Sequence, residues 1–322
     1  MKICIVGAGA IGGLLGVRLA QAGHEVSLVA RGAHLAAMRA NGLTLRAKKE
    51  SLTLRINATD AVASLGRQDA VLIALKAYSI AAMLPLLAPL MGPQTVLVPA
   101  INGIPWWYFH QEGGRFEGLP VECLDPDGAM LKNFDCGRII GCVVHAAAEV
   151  VEPGVIEHGA GRRFILGEPD GSLSERVSRL AAALEGAGLE APVSQRIRDD
   201  IWTKLVGNLA FNPVCALTGA RMSEAMLNPP LIALIRTMMA EGMRVGEACG
   251  VRFELSIEQR LELAKRIGNA KVSMLQDLER GRPIEAEAIV GAVGEFGRRV
   301  GVPTPTIDMI YTLVRQRGLS MA

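Results

Sequence analysis

The chain has 322 residues, half of them hydrophobic and 20% charged, and 34 Lys and Arg against 32 Asp and Glu leave a formal net charge of +2. This composition excludes a disordered chain, the length sets an expectation of about two domains, and basic residues scattered at near neutrality give no electrostatic footprint for nucleic acid. The expected partner is a small molecule, with no nucleic acid and no membrane.

From the start to about residue 193, short β-rich runs alternate with helical segments, the pattern of a parallel sheet. Residues 3–6 read as a buried strand, 11–22 as a helix ending at Gly23, and 25–30 as the next strand. The apolar run holding the first two looks superficially like a secretory signal. Its glycines and Arg18 break it well short of the roughly 20 residues a membrane span needs. A hairpin-like pair at 43–45 and 52–56, then β-rich runs at 70–75 and 95–99, read as successive sheet strands. The apolar stretch 80–91 carries Pro85 and Pro89 and is no span either. Residues 104–135, rich in Gly, Pro and aromatics, form a connection longer than a compact domain normally needs, which predicts a functional or lid-like segment. Strands are expected at 138–148, 154–166 and 190–193, and a helix at 173–187. Beyond Gln195 long helical patterns take over, at 199–218, 230–249, 257–279, 283–300 and 306–317.

Gly7, Ala8, Gly9, Ala10, Ile11 and Gly12 spell GAGAIG between the first strand and the first helix. The first two glycines permit a tight turn and the approach of a pyrophosphate to the backbone, while Gly12 lets the helix pack closely on the strand. The helix N-terminus then offers its N–H groups to the phosphates. A ligand-free glycine turn would carry the same string, but the strand-turn-helix setting points to dinucleotide binding. The expected fold class is α/β: an N-terminal Rossmann-type doubly wound sheet over residues 1–194, followed by an all-α C-terminal domain over residues 195–322.

An acid at the end of the second strand usually holds the adenosine ribose diol, whereas here Arg31 stands there. Its guanidinium can fork onto a 2′-phosphate, which favours NADP; the alternative is a solvated loop arginine. Lys76 and Asn102 follow β-rich runs, at the edge where the cleft of an open α/β sheet lies, although each also suits an ordinary helix start or turn. In the helical half, Lys204, Asn208 and Asn212 recur every four residues on a segment that is apolar apart from Thr203, and so share one helix face. Such a stripe meets partners, a ligand or solvent, because burying unpaired polar groups is costly. A partly desolvated lysine there can polarise a carbonyl and donate a proton. Ser273 and Glu285 form a second polar cluster, in which Pro283 suits the first turn of a helix and Glu285 reads equally as a helix N-terminal acid. His145 reads as a core histidine, and His24, His34, His110 and His158 form no triad or metal spacing. Six cysteines, without a CxxC pair or a histidine at zinc spacing, read as free thiols of a reducing cytoplasm, with no metal.

Taken in order, GAGAIG, Arg31, LKA at Lys76, NG at Asn102, HAA at His145, KLVGNLAFNP from Lys204 and SMLQD with Glu285 resemble the ketopantoate reductase family (2-dehydropantoate 2-reductases) over nearly the whole chain. KxxxNxxxNP followed by SMLQD is far more specific than the glycine motif. The resemblance implies reduction of ketopantoate to pantoate with NADPH, a step towards pantothenate and coenzyme A. It places the nucleotide on Gly7, Ala8, Gly9, Ala10, Ile11 and Gly12, with the adenosine phosphate on Arg31. Lys76, Asn102, Ala147 and Glu285 would line the cofactor or its nicotinamide end, Lys204 would donate the proton, and Asn102, Asn208, Asn212 and Ser273 would hold the substrate. Two departures bear on substrate choice. A further asparagine common in the family about ten residues past Asn212 is missing from 219–222, and Asn102 and Gly103 are followed by the bulky run Trp106, Trp107, Tyr108 and Phe109. These keep open a related NADP-dependent dehydrogenase of another 2-keto or hydroxy acid. A noncatalytic NADP-sensing protein is the third alternative, at odds with an intact proton donor. Assembly as a homodimer is left open.

Overall fold

Val-, Ile- and Leu-rich runs with both faces buried become the strands of a parallel sheet, as continuous apolar runs require. In the computed structural model, which describes residues 1–48, 50–266 and 268–320, the strands are β1 (Lys2–Val6), β2 (Glu25–Val29), β3 (Leu43–Ala47), β4 (Glu50–Leu54), β5 (Asn57–Thr59), β6 (Ala70–Ile73), β7 (Val96–Pro99), β8 (Gly141–Glu152) and β9 (Val155–Gly167). The first sheet runs β5-β2-β1-β6-β7 with every neighbouring pair parallel. Residues leaving the C-terminal ends of β1, β2 and β6 therefore share one edge, and these are the Gly7 turn, Arg31 and Lys76. The second sheet runs β4-β3-β9-β8 and is mixed, β3 joining β9 in parallel between two antiparallel pairs. Helix α1 (Ala10–Gln21) packs against both sheets and buries Leu14, Leu15, Val17 and Leu19. Burying each such side chain contributes about 1.5–3 kcal/mol.

Several expectations need correction. The hairpin pair β3–β4 is not part of the first sheet, and its strands leave part of their length exposed, as a sheet covered on one face does. Helix α2 (Gly32–Asn41) and strand β5 fill the stretch that the sequence left unread. Residues 190–193 make isolated bridges rather than a strand, Glu190 to Arg163 and Val193 to Leu166, because Pro192 between them has no N–H to give a ladder. The 104–135 connection, with the short helices α3 (Ile80–Met83) before it and α4 (Ala129–Asn133) inside it, does not begin as an exposed lid. Ile104, Trp106, Trp107, Tyr108 and Phe109 are all buried. Tyr108 stands edge-on to Phe109 at 5.1 Å, and Phe109 leans on Phe116 at 5.5 Å. The run is interior packing.

The backbone separates into two compact units. The first comprises Met1–Ile101, Trp107–Leu119 and Ala129–Ile197, and includes α5 (Glu175–Gly186). The second comprises Asn102–Trp106, Pro120–Gly128 and the chain from Arg198 on. Its helices are α6 (Ile197–Thr218), α7 (Met222–Leu227), α8 (Pro229–Ala248), α9 (Ile257–Lys265), α10 (Ser273–Glu279), α11 (Ala292–Val300) and α12 (Pro305–Leu319). The single helix expected at 257–279 is thus two, parted by a stretch in which Gly268 takes φ +72°. Pro283 and Glu285 precede their helix rather than open it: the backbone first makes a π-helical turn, Glu287–Gly291, and only then enters α11.

Two buried carboxylates fasten this unit. Glu241 of α8 accepts the N–H groups of Thr306 and Ile307 at 3.1 and 3.0 Å, an anion at the N-terminus of α12. Glu295 of α11 accepts those of Glu122 and Cys123 at 3.0 and 2.9 Å and pairs with Arg299 at 2.8 Å. That clamp holds 120–128 in the helical unit. Among the described residues no helix is long and apolar enough to cross a membrane, and no cluster of His, Cys, Asp and Glu could hold a metal.

Candidate active site

In the first unit the glycine turn is built by close approach. Gly7 takes φ +100°, where a side chain is strained, and a Cβ there would lie 2.7 Å from Ala74 O. A Cβ on Gly12 would overlap Gly7 O, so the first turn of α1 can rest on the end of β1 only with glycine. Val29 O of β2 receives both Gly7 N–H and Ala8 N–H, at 3.0 and 3.2 Å. Gly9 caps α1 without a side-chain bond, no acid stands in the first turn, and a Cβ on Gly9 would meet nothing within 4 Å. A helix N-terminus with unclaimed N–H groups therefore faces open space, an arrangement that attracts anions.

Arg31 is the exposed N-cap residue of α2, and its guanidinium pairs with no acid among the described residues. Lys76 is half-buried just past β6. Ala147 is exposed on β8 where the register slips between His145 and Ala148, a β-bulge of the kind that often borders sites. His145 beside it is exposed, so it is not the core histidine expected.

In the second unit Lys204 and Asn208 lie half-buried on α6, one turn apart, and Asn212 lies a further turn on, only 3% exposed. Lys204 Nζ donates to Asn102 Oδ1 at 2.6 Å. Between the stripe residues a Cβ on Gly207 would enter open space, so this face has room beside Lys204 and Asn208. Asn212 Nδ2 is buried without a hydrogen-bond partner among the described residues. An orphaned buried donor costs about 1–3 kcal/mol, so it calls for an acceptor from elsewhere. Pro213 follows directly and withholds the N–H that would have bonded Leu209 O. Ser273 opens α10, half-buried, and Glu285 is 5% exposed just before the π-helical turn.

Sequence reasoning read Asn102 and Gly103 as cleft residue or turn, and missed what fixes them. Gly103 takes φ +80°, a Cβ on it would overlap Ala288 O, and the next residue, Ile104, donates its N–H to that same oxygen at 2.8 Å. The π-helical turn thus presents the carbonyl that seats Asn102 against Lys204. Gly103→Ala is expected to cost at least about 1–2 kcal/mol of stability, the penalty of left-handed backbone for a residue with a Cβ. Urea unfolding of the variant beside the parent checks it, and an unchanged midpoint would show the seam to be slack. Arg260 of α9 was also missed. Buried, with no acid partner among the described residues, it donates from Nη1 to Thr203 O at 2.6 Å beside Lys204, and desolvation lowers its pKa. Nothing local in the sequence marks it.

The family model for "Ketopantoate reductase PanE/ApbA" matches residues 3–113, and its "C terminal" counterpart matches residues 196–318. A 2-dehydropantoate 2-reductase of Mesorhizobium japonicum is 50% identical over 98% of this chain and 97% of its own length. Among solved structures, a chain from Ralstonia solanacearum MolK2 named for ketopantoate reductase superposes with a TM-score of 0.94 at 43% identity, covering 99% of this chain and 98% of its own. The 2-dehydropantoate 2-reductase of Geobacter metallireducens GS-15 gives 0.86 at 30% identity, covering 98% and 99%. With family models matched to both parts of the chain and a relative 50% identical over 98% of it, the chain belongs to the ketopantoate reductase family of oxidoreductases.

Proposed function

We propose that the chain is a cytoplasmic 2-dehydropantoate 2-reductase that uses NADPH to convert ketopantoate to pantoate, in the route to pantothenate and coenzyme A. The observation that carries this reading is the Lys204 ammonium held at 2.6 Å by Asn102 on a half-buried face that also bears Asn208 and the orphaned amide of Asn212. The glycine turn fits a dinucleotide, since a Cβ position open at Gly9 leaves space where the α1 N–H groups point. In this reading residues 1–194 form the nucleotide domain and 195–322 the substrate domain, with Asn102 contributed from the first stretch of sequence.

Each side chain then has a role. Arg31 forks onto the 2′-phosphate, and Lys76, Ala147 and Glu285 line the nicotinamide arm. When bound, the cofactor supplies the hydride that the keto carbon requires. Lys204 turns an N–H from Asn102 to the keto oxygen, polarises the carbonyl and gives up a proton as the alkoxide forms. Asn102, Asn208, Asn212 and Ser273 hold the hydroxyl and carboxylate of the acid. Mixing the purified chain with NADPH and a panel of 2-keto acids, and following the nicotinamide absorbance, tests the reading. Fastest turnover of ketopantoate is expected. Faster turnover of a bulkier acid would move the assignment to a related dehydrogenase, and binding without turnover of any acid would leave a sensor.

Asn208→Ala is expected to raise the KM for ketopantoate roughly 2–10-fold, the worth of one neutral hydrogen bond, with NADPH affinity unchanged. If NADPH dissociation moved more than KM, the α6 face would be serving the nucleotide instead.

A further inference from the structure

We infer that His34 is a positioning residue for the dinucleotide pyrophosphate, acting through the Ala8–Gly9 peptide; this rests on the nucleotide reading of the glycine turn. His34 lies in the first turn of α2, half-buried. Its Nδ1 receives the N–H of Gly154 at 3.0 Å, so that nitrogen holds a lone pair and no proton. The proton of the neutral ring is then on Nε2, which donates to Ala8 O at 2.8 Å. Both ring nitrogens are used, and one side chain ties together the glycine turn, α2 and the turn between β8 and β9.

The bond to Ala8 O matters because of what shares its plane. In a trans peptide the C=O and the following N–H point in opposite directions. Holding the Ala8 carbonyl towards His34 therefore turns the Gly9 N–H away from it. That N–H meets no acceptor among the described residues, and the space around the Gly9 Cβ position is open. It is aimed where an anion can take it, at the head of α1. The bonds to Val29 O secure Gly7 N–H and Ala8 N–H only, both upstream of this peptide. Gly9 tolerates wide rotation, so without an outside acceptor or donor the plane is loose. His34 supplies the missing restraint, and its other end is firm: Gly154 O accepts Thr44 N–H at 2.9 Å from the second sheet.

His34→Leu keeps bulk and removes both bonds, whereas His34→Gln offers a donor and an acceptor on one planar amide. Three ligands separate the contributions: NADPH and ADP-ribose contain the bridging pyrophosphate, and 2′-AMP has the adenosine phosphate without it. His34→Leu is expected to weaken NADPH and ADP-ribose roughly 3–10-fold, to leave 2′-AMP at the parent affinity, and to be largely rescued by His34→Gln. Unchanged NADPH binding in His34→Leu overturns the inference. So does an equal loss for 2′-AMP, which would mark a general disturbance of the unit. Should the leucine variant fail to fold, His34→Asn, whose shorter amide cannot span Ala8 and Gly154 together, enters the same titrations with the same expectation. A parent chain that bound none of the three ligands would instead remove the nucleotide reading itself.

Discussion

Replacing Lys204 by alanine is expected to lower kcat by roughly two to four orders of magnitude while NADPH affinity stays near that of the parent, the signature of a lost proton donor. Beside it on α6, the half-buried Thr203, Gly207 and Asn208 give up no proton near neutrality. Asn102 accepts from Lys204 in the resting site and has no acidic proton to pass on. Lys204→Arg sharpens the test, because a guanidinium keeps the charge that polarises the carbonyl but releases a proton far less readily. Its KM should therefore hold while its kcat stays low. Steady-state kinetics at saturating NADPH, with nucleotide affinity from fluorescence titration, separate these quantities. Turnover near that of the parent in Lys204→Ala would take lysine out of the mechanism.

The second large effect concerns cofactor choice. Arg31 is exposed at the N-cap of α2, whose first turn carries no acid and whose partial positive end favours a phosphate. Asp60, just beyond the neighbouring strand β5, is engaged by Arg39 at 3.2 Å, so its charge is already partly met. A 2′-phosphate carries close to two negative charges, and hydrogen bonds to charged groups contribute about 1.5–3 kcal/mol. Arg31→Ala should weaken NADPH by that amount, more at low salt than at high, and barely alter NADH. Arg31→Asp should go further, repelling the phosphate and offering a carboxylate to the ribose diol. KM values for both cofactors in the three proteins decide it, and equal losses for NADPH and NADH would falsify the assignment.

What could be read from the sequence was what short spacing encodes. GAGAIG sits between an apolar run and a helical one, so its turn was legible, as was the four-residue recurrence of Lys204, Asn208 and Asn212. Membership of a sheet is a long-range property. Strand β3 joins β9, more than a hundred residues away, and nothing within residues 43–56 announces that partner. Helix α2 was invisible because only Leu35 and Met38 of its ten residues are buried, too few to set a period. Gly268 and Asn269 are a readable break in the run at 257–279. The seat of Gly103 on Ala288 O and the two bonds of His34 depend on tertiary approach, which no local pattern contains. Pro283 misled for a related reason: a π-helical turn displaced the helix start that proline normally marks.

The strips 102–106 and 120–128 have a consequence for the order in which this chain can mature on the ribosome. Both emerge with the sheet-bearing half, yet Asn102 meets Lys204 only once that lysine is made, and the N–H groups of Glu122 and Cys123 wait for Glu295. At about 5–20 residues per second, synthesis from Gly128 to Glu295 takes roughly 10–30 s. Until then the bonds that hold the two strips, Asn102 to Lys204, Ile104 to Ala288 and Glu122 and Cys123 to Glu295, cannot all have formed. The helical half cannot be expressed as a C-terminal fragment without losing Asn102 as an acceptor for Lys204 and the segment that Glu295 holds. Gene fusions, split chains and truncations should therefore leave the sequence whole from Asn102 through α11.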